Sequence, residues 1–262
     1  MPFVENEGVK IYWEETGRGE PVLLIMGLGW ASYMWHHTRD LLAAKYRVIT
    51  FDNRGVGRSD VPPGPYPIAT MASDAAAVLD AAGVKNAHIY GISMGGMISQ
   101  EFALQYPARV KSLILGCTAA GGPAALQPAP EVIQVLMRRG MTPQEAIEAI
   151  DPFIYDSGTS RELIEQDRKL RIEWYPTAEG YLSQLQGIMA WEAYSRLDQI
   201  AVPTVVIHGE GDQLIPAANA KLIADRIPQA KLVLIPRASH IFPTDQPKMA
   251  DEAVLAFLAA QP

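Results

Sequence analysis

Cysteine is nearly absent: the 262 residues hold one, Cys117, which excludes an intrachain disulfide and any CxxC metal site. Directly after the run KSLILG, it reads as a buried thiol. Long apolar stretches are missing too, and none approaches the roughly 20 residues that cross a bilayer. The start MPFVENEGVK has no basic region leading into a hydrophobic one. These two absences lead us to expect a cytoplasmic protein with no membrane partner. Positive charge is in deficit, with 22 Lys and Arg against 29 Asp and Glu and a net charge of −7. A nucleic-acid surface needs clustered cations to meet phosphates, so nucleic acid is not an expected partner.

What is present is globular in character, with 48% hydrophobic and 19% charged residues broken by Gly and Pro into short runs. Runs rich in Val, Ile and Leu fall at residues 9–13, 22–26, 47–51, 87–90, 110–115, 202–207 and 231–235. After the first two they alternate with helical stretches, the clearest at 68–82, 94–105, 217–226 and 247–260. Such alternation predicts a mostly parallel sheet flanked by helices. The first two runs, joined by TGRGEP, read as an antiparallel hairpin at one edge. Between Ala119 and Ile200 the pattern changes: PEVIQVLMRRG, TPQEAIEAI, SRELIEQDRKLRIEW and AEGYLSQLQGIMAWEAYSRL all read as helices. Residues 1–118 and 201–262 are therefore expected to form an α/β core, and residues 119–200 an inserted helical unit. It is entered through the Gly/Pro/Ala-rich AAGGPAALQPAP.

The stretch HIYGISMGGMIS carries Gly91, Ser93 and Gly95 in a GxSxG pattern, between a strand and the start of a helix. A chain that reverses from strand to helix within a few residues strains the central serine and leaves no room for flanking side chains. The serine hydroxyl then sits above a helix N-terminus, where negative charge is favoured. A serine needs a base, usually histidine, which in turn needs an acid to hold its tautomer. Of five histidines, His36 and His37 lie in a predicted helix, His88 on a strand and His208 at a strand end. Only His240, in IPRASHIFP, follows the last strand at the same sheet edge as Ser93. Glu210 and Asp212, in VVIHGEGDQLIP, are the candidate acids.

DNRGVGRSD, GISMGG, GEGDQLIP and ASHIFPTDQP, in that order, resemble the α/β-hydrolase superfamily, specifically its esterase-like members with a helical cap. The resemblance implies an α/β-hydrolase fold of the eight-stranded type, with Ser93 as nucleophile, Asp212 as acid and His240 as base. It also implies an oxyanion hole from the N–H groups of Met94 and Leu28, although Met26 stands where many relatives have histidine. Asp52 and Arg54 in the first motif are expected to position a turn. A serine at position 93, in place of a carboxylate, argues against haloalkane dehalogenase or epoxide hydrolase chemistry.

The expected activity is carboxylic-ester hydrolysis through an acyl-enzyme, on a small-molecule ester, with no metal or organic cofactor. Lactone hydrolysis of the enol-lactone type, or cleavage of a carbon–carbon bond, are rivals on the same residues. A ligand receptor built on this fold is the rival from another class. The insertion is rich in aromatics and methionine, and Trp30, Met137, Met189 and Trp191 are the candidate substrate contacts.

Overall fold

A computed structural model of the protein describes residues 2–137 and 140–261. Arg138 and Arg139, in the first helix expected in the insertion, lie outside the described residues. Eight strands form one sheet: β1 (Phe3–Asn6), β2 (Val9–Gly17), β3 (Pro21–Ile25), β4 (Arg47–Phe51), β5 (Ala87–Ile92), β6 (Val110–Gly116), β7 (Thr204–Gly209) and β8 (Lys231–Ile235). Their order is β1-β2-β4-β3-β5-β6-β7-β8, with β2 antiparallel to both of its neighbours and every other pair parallel. The helices are α1 (His36–Ala43), α2 (Ile68–Ala81), α3 (Met94–Gln105), α4 (Pro130–Met137), α5 (Pro143–Ile154), α6 (Arg161–Glu173), α7 (Ala178–Met189), α8 (Ala218–Arg226), α9 (Phe242–Asp245) and α10 (Pro247–Ala259). Among the described residues no helix is long and apolar enough to cross a membrane.

The central strands are apolar at successive positions because both sheet faces are covered. Val22, Leu24, Val48, Tyr90, Ile114 and Val205 pack on one side with Leu42 of α1 and Phe257 of α10. Leu23, Ile25, Ile49, Ile89, Leu113 and Val206 pack on the other with residues of α2, α3 and α8. This two-residue alternation of a fully buried sheet gives unbroken runs such as VLLI.

The hairpin expected between residues 9–13 and 22–26 is not formed. β2 pairs instead with β1, through a two-residue turn in which Glu7 and Gly8 have φ of 52° and 77°. Two positive φ values match the right-handed twist of a hairpin. With only four residues and two of them polar, FVEN gives little sequence signal. β3, buried on both faces, inserts between β4 and β5 in the sheet centre, so TGRGEP is a crossover past β4.

Among the described residues, the helices α4 to α7 and a 3-10 turn at Tyr194–Gln199 lie between β6 and β7. Thr142, Ser160 and Thr177 start α5, α6 and α7, each hydroxyl accepting a backbone N–H of the first turn. The last expected helix of the insertion ends early, at Met189. Glu192 forms a β-bridge with Gly121, and Ala193 N–H donates to the Ala120 carbonyl at 2.8 Å, pulling the chain back onto the core.

Candidate active site

The direction of chain progress reverses across β3, with β4 on one side and β5 on the other. In a parallel sheet such a switch point opens a crevice at the strands' carboxyl ends. Ile25 pairs with Gly91, so the loop after β3 and the turn after β5 leave the sheet side by side. Ser93 stands in that turn with φ of 56° and ψ of −124°, a strained conformation for a residue with a side chain. A Cβ on Gly95 would collide with the Ile25 carbonyl, and one on Gly91 with the backbone of Gly95. Ser93 N–H donates to the Gly116 carbonyl at 2.9 Å, and the Ser93 carbonyl accepts from Gly96 N–H at 2.9 Å and the Thr118 hydroxyl at 2.8 Å. The strain is held from three directions.

Gly209 pairs with Ile235, which brings the loops after β7 and β8 together, and Gly211 N–H donates to the Ala238 carbonyl at 2.8 Å. Asp212 and His240 meet there: His240 Nδ1 lies 2.8 Å from Asp212 Oδ2. The same oxygen meets His208 Nε2 at 2.9 Å, while Oδ1 accepts the backbone N–H groups of Leu214 and Ile215, both at 2.9 Å. Burial alone would raise this carboxyl's pKa. The charge of His240 and hydrogen bonds from both imidazoles outweigh burial and bring it down to about 2. His208 Nε2 also lies 2.8 Å from the Ile215 carbonyl, so it faces two acceptors and carries its proton on that nitrogen. With Nδ1–H of His240 turned to Asp212, its Nε2 keeps a lone pair. Glu210, the other candidate acid, is exposed.

Ser93 and His240 line one cavity of about 580 Å³, together with Leu28 and Met94. Among the described residues the Ser93 hydroxyl and His240 make no hydrogen bond to each other. A nucleophile and base are often loosely spaced before substrate binds. Met94 is the first residue of α3, where N–H groups have no carbonyl one turn back. The Leu28 loop is fixed on both sides: Asn53 Nδ2 donates to the Met26 carbonyl at 2.9 Å, and Gly29 N–H donates to Gln184 Oε1 at 2.8 Å. Gln184, on α7, also donates to the Arg54 carbonyl at 2.9 Å, so a residue of the insertion clamps two core loops. Met26, in place of histidine, is buried among apolar neighbours and leaves the anchoring to these amides.

Trp30, Met137 and Met189 all line the cavity, Met189 while remaining 76% exposed. Trp191 does not. It is 8% exposed in the core, and its indole N–H donates to Glu101 Oε2 at 2.8 Å, which corrects the expectation of a substrate contact. Asp52 is buried and accepts from Ser32 N–H, the Ser32 hydroxyl and Arg58 N–H, whereas Arg54 makes two 2.7 Å bonds to Asp74. Both brace turns, as expected. Cys117 also borders the cavity, and burial pushes its thiol pKa well up, leaving it protonated. Among the described residues no group of three or more His, Cys, Asp or Glu is placed to hold a metal ion. Sequence reading missed two polar residues at this site, Gln184 and Arg171 on the cavity wall, and the bond from His208 to Asp212.

A family model described as alpha/beta hydrolase fold matches residues 20–152 and 159–247. The RutD protein of Azorhizobium caulinodans, named as a proposed carbamate hydrolase, is 33% identical over 261 residues, covering 98% of each chain. A 3-oxoadipate enol-lactonase of Acinetobacter baylyi is 30% identical over 260 residues, or 96% of this chain and 94% of its own. Among solved structures, a thermophilic esterase from Thermogutta terrifontis matches with a TM-score of 0.85 at 30% identity, covering 98% of this chain and 96% of that one.

Proposed function

Because this chain belongs to the α/β-hydrolase family, we propose that it cleaves carboxylic esters by a serine mechanism, with residues 119–200 acting as a cap over the site. The observation that carries this reading is the shared carboxylate: Asp212 holds His240 through Nδ1 at 2.8 Å, in the tautomer that leaves Nε2 free, and His240 lines the same cavity as Ser93. Ser93 Oγ attacks the ester carbonyl as His240 Nε2 takes its proton. The N–H groups of Leu28 and Met94 hold the negative oxygen of the tetrahedral intermediate, where one such donor is worth about 3 kcal/mol. His240 then gives its proton to the departing alkoxide. Water, deprotonated by the same imidazole, attacks the acyl-enzyme and releases the acid.

Asp212 does not change protonation in this cycle. With its pKa near 2, it stays a carboxylate opposite the imidazolium formed during each step. The largely apolar cavity, walled by Leu136, Met137, Ile150 and Ile188, suits small to medium partly apolar acyl or alcohol groups.

Lactone hydrolysis uses the same residues, and similarity to a 3-oxoadipate enol-lactonase supports it as the second reading. A panel of nitrophenyl esters of increasing acyl length, simple lactones and aryl carbamates separates the possibilities. Ester turnover exceeding lactone and carbamate turnover by tenfold or more in kcat/KM is the expected result. Turnover confined to lactones or carbamates would overturn the ester assignment, and tight binding without turnover would favour a receptor.

A further inference from the structure

We infer that Arg171 makes the cavity selective for substrates that bear a carboxylate at the end remote from the scissile carbonyl. The inference rests on the hydrolysis proposed above and names its substrate class. Arg171, on α6, is 2% exposed and lines the same cavity as Ser93 and His240. Only one nitrogen of its guanidinium is occupied, Nη1, which donates to Asp151 Oδ1 at 2.6 Å. The other oxygen of Asp151 accepts from Arg168 Nε at 2.5 Å. Buried Nε and Nη2 of Arg171 have no hydrogen-bond partner.

Those two nitrogens form the edge of a guanidinium that grips a carboxylate through two parallel bonds. An arginine that served only to tie α5 to α6 through Asp151 would leave this edge bare at a cost, because buried donors are nearly always paired. The neighbouring Tyr155 hydroxyl donates to Asp167 Oδ2 at 3.1 Å and also interacts with the Arg171 guanidinium, yet Nε and Nη2 still lack a partner at hydrogen-bond geometry. Trp30, Ile150, Ile154 and Ile241 give the same cavity apolar lining beside the Asp151 carboxylate that holds Nη1. The Trp30 ring centre lies 5.2 Å from the guanidinium carbon and also borders a second cavity of about 170 Å³. In such surroundings a neutral chain would leave the donors empty, whereas an anionic one satisfies them and gains a charge pair in a dry site.

The test compares p-nitrophenyl pentanoate with the p-nitrophenyl monoester of glutarate, and with the succinate and adipate monoesters to probe reach. The wild type is expected to prefer at least one carboxylated ester over the neutral one. In Arg171→Met the carboxylated-to-neutral ratio of kcat/KM should fall about 30-fold, mainly through KM. Arg171→Lys keeps a charge for Asp151 but not the fork, and it should also lower the ratio if Arg171→Met folds poorly. A ratio unchanged by either folded variant, or a wild type that rejects every carboxylated ester, would overturn the inference. Calorimetric binding of glutarate monoamide to Ser93→Ala, with and without Arg171→Met, reads the subsite without any turnover. Loss of binding with Arg171 would uphold the subsite even if the hydrolytic reading failed, and equal binding would refute it even if esters were cleaved.

Discussion

Replacing Asp212 with Asn tests the tautomer control on which the proposed mechanism depends. Its carboxylate accepts four donors, two backbone N–H groups on Oδ1 and two imidazole N–H groups on Oδ2, at 2.8 to 2.9 Å. An amide offers one oxygen. If that oxygen keeps Leu214 and Ile215, the NH₂ group faces both imidazoles. His208 cannot adapt by moving its proton, because the same Nε2 faces the Ile215 carbonyl at 2.8 Å. His240 is the partner free to change: it accepts at Nδ1 and takes its proton onto Nε2, where it can no longer deprotonate Ser93. The expected loss is about 10⁴ in kcat, roughly 5 kcal/mol of transition-state stabilisation. The stability loss is smaller. A carboxyl lowered from 3.8 to about 2 on folding contributes roughly 2 kcal/mol at neutral pH, present above the unfolded value and lost as pH falls toward 2. For a domain of this size that is a Tm decrease of about 4 to 8 °C. Nitrophenyl butyrate turnover and a circular-dichroism melt read the two effects separately. A folded Asp212→Asn variant within tenfold of wild-type kcat would refute the proposed role of this carboxylate.

Gln184→Ala removes the clamp on Gly29 N–H and the Arg54 carbonyl, leaving two buried backbone groups unpaired. It should cost about 2 to 4 kcal/mol in stability and lower kcat more than KM, because the Leu28 loop loses its fixed position; a wild-type melt and kcat would contradict that. Trp191→Phe deletes one donor to buried Glu101, which Arg196 and Gln105 still contact. A stability loss of about 1 to 2 kcal/mol in denaturant melts is expected, with KM for esters unchanged, and a large KM effect would return Trp191 to the substrate pocket. Gly95→Ala places a methyl against the Ile25 carbonyl, so little folded protein should be recovered; a stable, active variant would contradict the close packing of α3 on β3.

The parts legible in the sequence are those whose signal is local. Ser93 is announced by glycines two residues to either side and by a strand and helix contiguous with it. Strand order points to His240 and to the loop carrying Glu210 and Asp212, each just after an apolar run, while the choice of Asp212 over Glu210 comes from the family resemblance. Long-range partners leave no such trace. Gln184 meets Gly29 across 155 residues of chain, and nothing in AEGYLSQLQGIM distinguishes it from a solvent-facing amide. His208 reads as the last residue of a strand, and its bond to Asp212 exists only because the following loop folds back over four residues. Arg171 sits in the charge-rich RELIEQDRKLRIE, where one buried arginine looks like its exposed neighbours. Trp191 misled for a related reason: an aromatic in a helical stretch predicts burial, but not whether the covering surface is core or cavity. The pairing of β2 is illegible for another reason: its hairpin partner is the short strand FVEN upstream, two of whose four residues are polar, so the apolar run downstream looks like the better match.

Reaction with a fluorophosphonate followed by peptide mass spectrometry tests the central claim most directly, since the reagent bonds only to a serine that a base has activated. A single stoichiometric adduct on Ser93 is predicted, abolished in Ser93→Ala together with ester turnover and slowed in His240→Ala. An adduct on another residue, or full turnover by Ser93→Ala, would contradict the mechanism.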